Sequence, residues 1–235
     1  MVSFSDIMTE QELQLNYDDM LKAGMHFGRK KTVFNPKMGK YVFTVKEGIC
    51  IIDLLKTQTE ITKVAEYLKK VITDGGVVLF VGLTKQSADT IKDLANELNM
   101  PYVVERWIGG SLTNFKVISS RVKKMEEMEK QTKTGELDKY TKKERLMFER
   151  ELKKMENHFG GLRKMTKLPD VVFVSSLKDG VLPIREAKRM KIKTVAIANT
   201  DSSPDDVDYA IPANDRSKKS IDLILEAIKK EITNK

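Results

Sequence analysis

Residues 108–165 read IGGSLTNFKVISSRVKKMEEMEKQTKTGELDKYTKKERLMFERELKKMENHFGGLRKM, a charged segment without a strand pattern. Two apolar series run through it at spacings of three and four, typical of helices that pack along a seam: Ile118, Val122 and Met125, then Phe148, Leu152, Met155 and Phe159. Thr141 and Glu144 have the capping-box spacing that begins a second helix. We therefore predict an antiparallel coiled-coil hairpin of two helices over residues 108–165, with its tip at residues 135–140.

The chain on both sides of this insertion alternates strand and helix patterns. Continuous apolar runs at residues 77–81 and 171–174 are typical of strands buried on both faces of a parallel sheet. Further strands are predicted at residues 101–104, 194–198 and 209–211, and helices at 57–73, 85–99, 183–190 and 217–233. The alternation predicts one α/β domain with a parallel sheet, built from residues 17–107 and 166–235. We expect a small β-hairpin at residues 41–54 and a flexible N-terminal extension over residues 1–16.

The charge of the chain points to a polyanionic partner. Charged residues make up 32% of the 235, and the net charge is +8. Such an excess of cations favours nucleic acid or an anionic membrane surface, although a lysine-rich solvated surface would have the same composition. The single cysteine, Cys50, indicates a reducing compartment. Without an apolar run long enough for a membrane span or a secretory signal, we expect a soluble cytosolic protein.

Residues 25–40 are the strongest candidate for contact with RNA. The segment MHFGRKKTVFNPKMGK is basic, contains aromatic residues and is broken by Gly and Pro, which predicts a surface loop that touches phosphates and bases. An ordinary basic loop is the alternative. The predicted RNA contacts, including three beside the insertion, are His26, Arg29, Lys30, Lys31, Asn35, Lys37, Lys40, Arg106, Asn114 and Lys116.

Other possible sites have weaker patterns. The turn at residues 82–87 would suit a nucleotide-binding doubly wound enzyme, but it lacks the second glycine of a P-loop. The loop at 201–208 has four carboxylates, whose spacing favours turn and cap roles over a Mg²⁺ or Ca²⁺ site. Trp107 either packs between sheet and insertion or lies at the usual ligand position of such folds. We predict no catalytic residue, no metal and no cofactor.

A set of short motifs, in order along the chain, resembles the bacterial-type small-ribosomal-subunit protein S2 family. They are GMHFG at 24–28, NPKM at 35–38, IIDL at 51–54, LFVG at 79–82, MPYV at 100–103, RWIGG at 106–110, LTNF at 112–115, LPD at 168–170 and VDY at 207–209. The chain departs from the family's usual residues at Arg29, where His is usual, at Phe34, where Trp is usual, and at Ser176, where Asp is common.

The resemblance implies a flavodoxin-like (Rossmann-like) fold with an inserted helical hairpin. It implies a non-enzymatic structural constituent of the small ribosomal subunit that works in translation, bound to the ribosome in the cytoplasm. The implied position lies between the head and the body of the subunit. There the protein would contact small-subunit rRNA and neighbouring ribosomal proteins and help to dock ribosomal protein S1.

Overall fold

The computed structural model of the protein describes residues 15–134 and 140–233. Its strands are β1 (Phe27–Lys30), β2 (Val42–Lys46), β3 (Ile49–Ile52), β4 (Val78–Val81), β5 (Tyr102–Val103), β6 (Val171–Val174), β7 (Lys193–Ala198) and β8 (Tyr209–Pro212). Its helices are α1 (Tyr17–Lys22), α2 (Leu54–Thr73), α3 (Lys85–Glu97), α4 (Phe115–Lys133), α5 (Lys142–Phe159), α6 (Val181–Arg189) and α7 (Lys218–Thr233). Most of the predicted N-terminal extension and of the hairpin tip lies outside the described residues.

Five parallel strands form the main sheet in the order β5-β4-β6-β7-β8. The register places Val78 of β4 beside Val171 of β6, and Val171 beside Lys193 of β7. Every residue of β4 and of β6 is buried, as their continuous apolar sequences predict for strands covered on both faces. Relative to the first strand of this sheet the order is 2-1-3-4-5, which is the flavodoxin-like arrangement. The predicted α/β fold is confirmed.

The two faces of the sheet build two separate hydrophobic clusters, because successive side chains of a strand point in opposite directions. Phe80 and Phe173 belong to the cluster covered by α2, α3 and α7. Leu79 and Val172 belong to the other cluster, which contains residues of α4, α5 and α6. The helices α2, α3, α4, α5 and α7 were predicted from their apolar periodicity, but α2 begins at Leu54 rather than at residue 57. Asp53 caps it earlier, since its Oδ1 accepts a hydrogen bond from Leu55 N at 3.1 Å.

The insertion is packed onto the second face of the sheet. Met125 of α4 is fully buried, and Met155 of α5 is nearly so, in the same cluster as the sheet residues. The capping box is present: Thr141 N donates to Glu144 Oε2 at 2.9 Å, and Glu144 N donates to Thr141 Oγ1. The antiparallel direction and the coiled-coil geometry of the two helices stay predictions.

A second, three-stranded antiparallel sheet has the order β1-β3-β2. Its β2–β3 turn places Glu47 at φ 51° and Gly48 at φ 75°, as a tight hairpin with right-handed strand twist requires. The prediction of a continuous loop over residues 25–40 was wrong for Phe27–Lys30, which is strand β1. Its pairing with β3 is flanked by hydrogen bonds such as that from Ile52 N to His26 O at 2.8 Å. The paired residues of β1 and β3 are 19 to 24 positions apart in the chain, and a strand of four residues is too short to show a periodic pattern.

The adjacent glycines Gly160 and Gly161 provide a matched test of how the end of the insertion packs against strand β5. A Cβ on Gly161 would lie 2.2 Å from the backbone oxygen of Tyr102, whereas a Cβ on Gly160 would meet only the Glu156 side chain at 3.5 Å. We expect Gly161→Ala to lower the free energy of unfolding by about 1–3 kcal/mol, because strand β5 or the chain after α5 must move. Gly160 has helical dihedrals, so Gly160→Ala should leave stability unchanged or raise it by up to about 1 kcal/mol. Urea denaturation of both variants measures the difference, and equal stabilities would contradict it.

Candidate nucleic-acid interface

Residues 30–40, called the basic segment below, are held to the carboxyl edge of the main sheet. Asn35 N donates a hydrogen bond to Thr200 O at 2.8 Å, directly after β7, and Asn35 Oδ1 accepts one from Lys37 N at 3.0 Å. Met38 is fully buried in the second hydrophobic cluster. Asn35 and Met38 therefore act as anchors, and the lysines between and around them are directed to solvent.

The predicted lysines of this segment are exposed, and they differ in their partners. Lys30, Lys31 and Lys40 have no ion-pair partner among the described residues, and Lys40 Nζ lies 4.9 Å from the centre of the Tyr41 ring. Lys37 Nζ lies 3.0 Å from Asp205 Oδ2, with both side chains 58% exposed. Such an exposed pair is weak, so Lys37 can exchange Asp205 for a phosphate at little cost.

The imidazole of His26 is neutral rather than cationic at pH 7. Burial lowers the pKa of the imidazole below its usual value, and its Nδ1 is buried without a hydrogen-bond partner among the described residues. The ring lies 4.0 Å, centre to centre, from the ring of Phe27, whose side chain is half exposed. The pair presents aromatic surface beside the lysines, which suits base stacking better than phosphate neutralisation.

Arg29 points inward, unlike the lysines that follow it. Its Nη2 lies 3.4 Å from Asp215 Oδ1 and its Nε lies 3.6 Å from Asp201 Oδ2. Asp215 is completely buried, with Asn199 Nδ2 donating to it at 2.9 Å and Ser176 Oγ lying 2.8 Å from its other oxygen. The guanidinium therefore neutralises two buried carboxylates, which would destabilise the fold if they had no cation nearby.

The remaining predicted contacts lie at the other end of the same sheet edge. Arg106 follows β5, the strand farthest from β8, and Asn114 and Lys116 lie where α4 begins. All three are exposed, and neither cation has an ion-pair partner within the described ranges. The structure thus divides the predicted set into two groups, one near β7 and β8 and one beyond β5.

Glu186 of α6 fixes the place where the insertion leaves the domain. Its Oε1 accepts hydrogen bonds from Trp107 Nε1 and Gly110 N, both at 2.9 Å. Its Oε2 accepts from Leu112 N at 3.0 Å and from Thr113 N at 3.3 Å. Burial raises the pKa of Glu186, but these hydrogen bonds outweigh it and hold the pKa below its usual value. Trp107 is buried between sheet and insertion, one of the two roles considered for it from the sequence.

The acidic loop at residues 201–208 holds cations of the protein itself. Asp201 Oδ2 lies 2.7 Å from Lys178 Nζ, and Asp208 Oδ1 lies 2.7 Å from Lys193 Nζ. Within residues 15–134 and 140–233, no three His, Cys, Asp or Glu side chains are grouped closely enough to hold a metal ion. Three of the four carboxylates of this loop, Asp201, Asp205 and Asp208, are therefore ion-pair partners for lysines on other parts of the fold.

Comparison with known proteins identifies the family of this chain. A family model described as Ribosomal protein S2 matches residues 20–234. The chain belongs to the ribosomal protein S2 family. Its relatives named small ribosomal subunit protein uS2 include that of Fusobacterium nucleatum, 44% identical over 210 residues, which are 89% of this chain and 85% of that protein. A relative from Thermus thermophilus is 40% identical over 213 residues, 91% of this chain and 83% of that protein. The relative from Parabacteroides distasonis is 41% identical over 215 residues, 92% and 77% of the two chains.

Membership of the S2 family makes the chain a ribosomal structural protein and not an enzyme, as predicted. The nucleotide-binding alternative also has a physical difficulty at the turn after β4. The hydroxyls of Thr84 and Ser87 lie 2.9 Å apart, and Ser175 Oγ donates to Ser87 Oγ at 2.8 Å. These buried groups are bonded to one another at the point where a doubly wound fold would hold its nucleotide. No helix among the described residues is long and apolar enough to cross a membrane.

Two features of this S2-family protein could not be derived from its sequence pattern. Glu186 was not singled out, because one glutamate in a charged helix gives no signal of its own. The glycine-rich start of the insertion, whose backbone N–H groups converge on it, was the only available hint. The role of Arg29 was also missed. Arg29 and Ser176 both contact Asp215.

Removal of the Arg29 guanidinium should destabilise the fold. We expect Arg29→Met to lower the free energy of unfolding by about 3 kcal/mol, because Asp215 would be left buried without a cation and Asp201 would keep only Lys178. Lys30→Met, at the neighbouring exposed position, should change stability by less than about 0.5 kcal/mol. Urea denaturation at pH 7 measures both, and a stable Arg29→Met variant would show that the ion pairs are dispensable.

Loss of the Glu186 charge should have an effect that depends on pH. We expect Glu186→Gln to lower the free energy of unfolding at pH 7 by about 2 kcal/mol, because a charged acceptor of several hydrogen bonds becomes neutral.

The folded-state pKa lies below the usual glutamate value of 4.5, so the carboxylate stabilises the fold above about pH 4.5. That contribution is lost as the pH falls through the folded-state pKa. The difference in unfolding free energy between wild type and variant should therefore narrow as the pH is lowered from 7 through the folded-state pKa of Glu186. Glu66→Gln, on an exposed part of α2, is the control. A gap that stays constant with pH would contradict the assignment.

Proposed function

We propose that this protein is a structural constituent of the small ribosomal subunit, works in translation, and binds small-subunit rRNA between the head and the body. Membership of the S2 family supports the ribosomal role, and the relatives are named as small-subunit proteins. The observation that supports rRNA binding most directly is the row of exposed, unpaired lysines that Asn35 and Met38 anchor at the sheet edge.

The two groups of candidate residues would contribute to binding in different ways. Lys30, Lys31 and Lys40 would neutralise phosphates, so that each contact makes the affinity fall more steeply with salt. His26 would stack on a base or pack beside the RNA backbone as a neutral ring, and Arg29 would hold the segment in place from within. Arg106 and Lys116, with Asn114 between them in sequence, would form a second contact at the start of the insertion.

We also propose that neighbouring ribosomal proteins, including protein S1, contact the molecule in the cytoplasmic ribosome. The resemblance to the family supports S1 as a neighbour. Leu146 and Met147 on α5 are 47% and 62% exposed. They are separated from the second hydrophobic cluster and set among charged residues, which suits a contact with protein better than one with phosphate.

The basic segment can be tested without disturbing the fold. We expect the double variant Lys30→Gln with Lys31→Gln to leave the small subunit at a lower salt concentration than wild type, because two phosphate contacts are lost. Sucrose-gradient sedimentation of assembled subunits, with the protein followed by immunoblot over a salt series, measures this. Arg29 is retained, since its loss would confound binding with folding.

The control is Lys70→Gln with Lys230→Gln, which removes two exposed lysines from α2 and α7 on the opposite face of the sheet. Retention of the control and loss of the Lys30 and Lys31 variant is the expected result. If wild type itself stays at the top of the gradient, the ribosomal role is wrong for this chain. If the two double variants behave alike, the basic segment is not a contact.

A further inference from the structure

In the segment that contains α6, the acidic side chains bind other parts of the fold, whereas most of the basic side chains face solvent. Residues 178–193 contain six cations and two acids. Asp179 is ion-paired with Arg216 at 3.3 Å, and Glu186 accepts the hydrogen bonds of the insertion. Both acids are therefore engaged with partners from other parts of the fold, and neither neutralises the cations of its own segment.

Four of the six cations face solvent without a partner. Lys178 and Lys193 are paired with Asp201 and Asp208. The other four are exposed and have no ion pair or side-chain hydrogen bond among the described residues: Arg185, Lys188, Arg189 and Lys191. Three of these lie at positions i, i+3 and i+4, so they share one side of α6.

This arrangement is unfavourable for the free protein. Like charges three and four residues apart repel one another along a helix. The last turn of a helix attracts cations, which offsets part of that repulsion at Lys188 and Arg189 but not at Arg185. An anion bound to the cationic side of α6 would remove the remaining repulsion.

A groove of about 360 Å³ joins this side of α6 to the basic segment. Arg185 and Lys188 line one wall and Asn35 lines another, together with Ser203, whose buried Oγ has no hydrogen-bond partner among the described residues. Two acids also line the groove. Asp201 is neutralised by Lys178 and Arg29, and Asp206 is exposed at the rim. The groove therefore offers unpaired donors on a path between the two basic surfaces.

We propose that the outward side of α6, formed by Arg185, Lys188 and Arg189 with Lys191 beyond the helix, binds backbone phosphates of RNA in continuity with the basic segment. The inference rests on the proposed function, since it assigns a further surface to the same ligand. Helix α6 contains guanidinium and ammonium groups but no Asn or Gln, which suits the phosphate backbone rather than a particular base sequence.

Filter binding of the full-length protein to deproteinised small-subunit rRNA over a salt series tests the proposal. The test variant is the triple change Arg185→Gln, Lys188→Gln and Arg189→Gln. We expect the slope of log affinity against log salt to become shallower by about two to three, because each lost phosphate contact removes roughly 0.7–0.9. The charge-retaining triple Arg185→Lys, Lys188→Arg and Arg189→Lys should keep the wild-type slope.

Two further variants separate the possible outcomes. The opposite-face triple Lys70→Gln, Lys92→Gln and Lys230→Gln removes the same charge from α2, α3 and α7 and should change the slope less. If the α6 triple keeps the wild-type slope while Lys30→Gln with Lys31→Gln reduces it, the α6 inference is overturned and the proposed function stands. Equal losses in the α6 and opposite-face triples also overturn it. If wild type shows no salt-dependent binding of this rRNA, the proposed function itself fails.

Discussion

The carboxylate of Glu186 fixes the start of the insertion to the α/β domain, in addition to the apolar packing of α4 and α5 on the sheet. It accepts hydrogen bonds from the Trp107 indole and from backbone N–H groups of Gly110, Leu112 and Thr113. These donors belong to the chain that leaves β5, and Glu186 belongs to the helix that follows β6. Without the carboxylate, several donors at the start of the insertion would lack a partner in a partly buried place. Glu186 therefore fixes the chain just before α4 begins.

Along the carboxyl edge of the sheet, other buried acids likewise connect separate parts of the fold. Asp215 and Asp201 are buried or nearly so, and Arg29 neutralises both from a strand of the second sheet. The lysines that follow Arg29 have no such duty and face solvent. Acids therefore connect elements inside the fold, whereas much of the excess of cations stays on its surface. These exposed cations are therefore accessible to a polyanion.

Local patterns predicted most of the secondary structure, because buried strands and amphipathic helices are written in short runs of sequence. The apolar runs of β4 and β6, the Thr141 capping box and the burial of Met125 and Met155 all followed from spacing alone. What spacing could not predict are contacts between distant residues. Arg29 meets Asp215 across 186 residues, and Trp107 meets Glu186 across 79. At such separations a charged residue gives the same local signal whether it is exposed or buried in an ion pair.

Under the proposed function, the carboxyl edge of the sheet serves as a binding surface for a large partner rather than as a crevice for a small molecule. In such folds the carboxyl ends of the strands on either side of the switch point usually frame a ligand crevice. Here the hydroxyls of Thr84, Ser87 and Ser175 are bonded to one another between β4 and β6. Farther along the edge, Asn35 binds the end of β7 and holds the basic segment over it. An edge that would bind a small molecule in a pocket is thereby closed at its switch point and covered by lysines, which suits the extended phosphate backbone of an RNA.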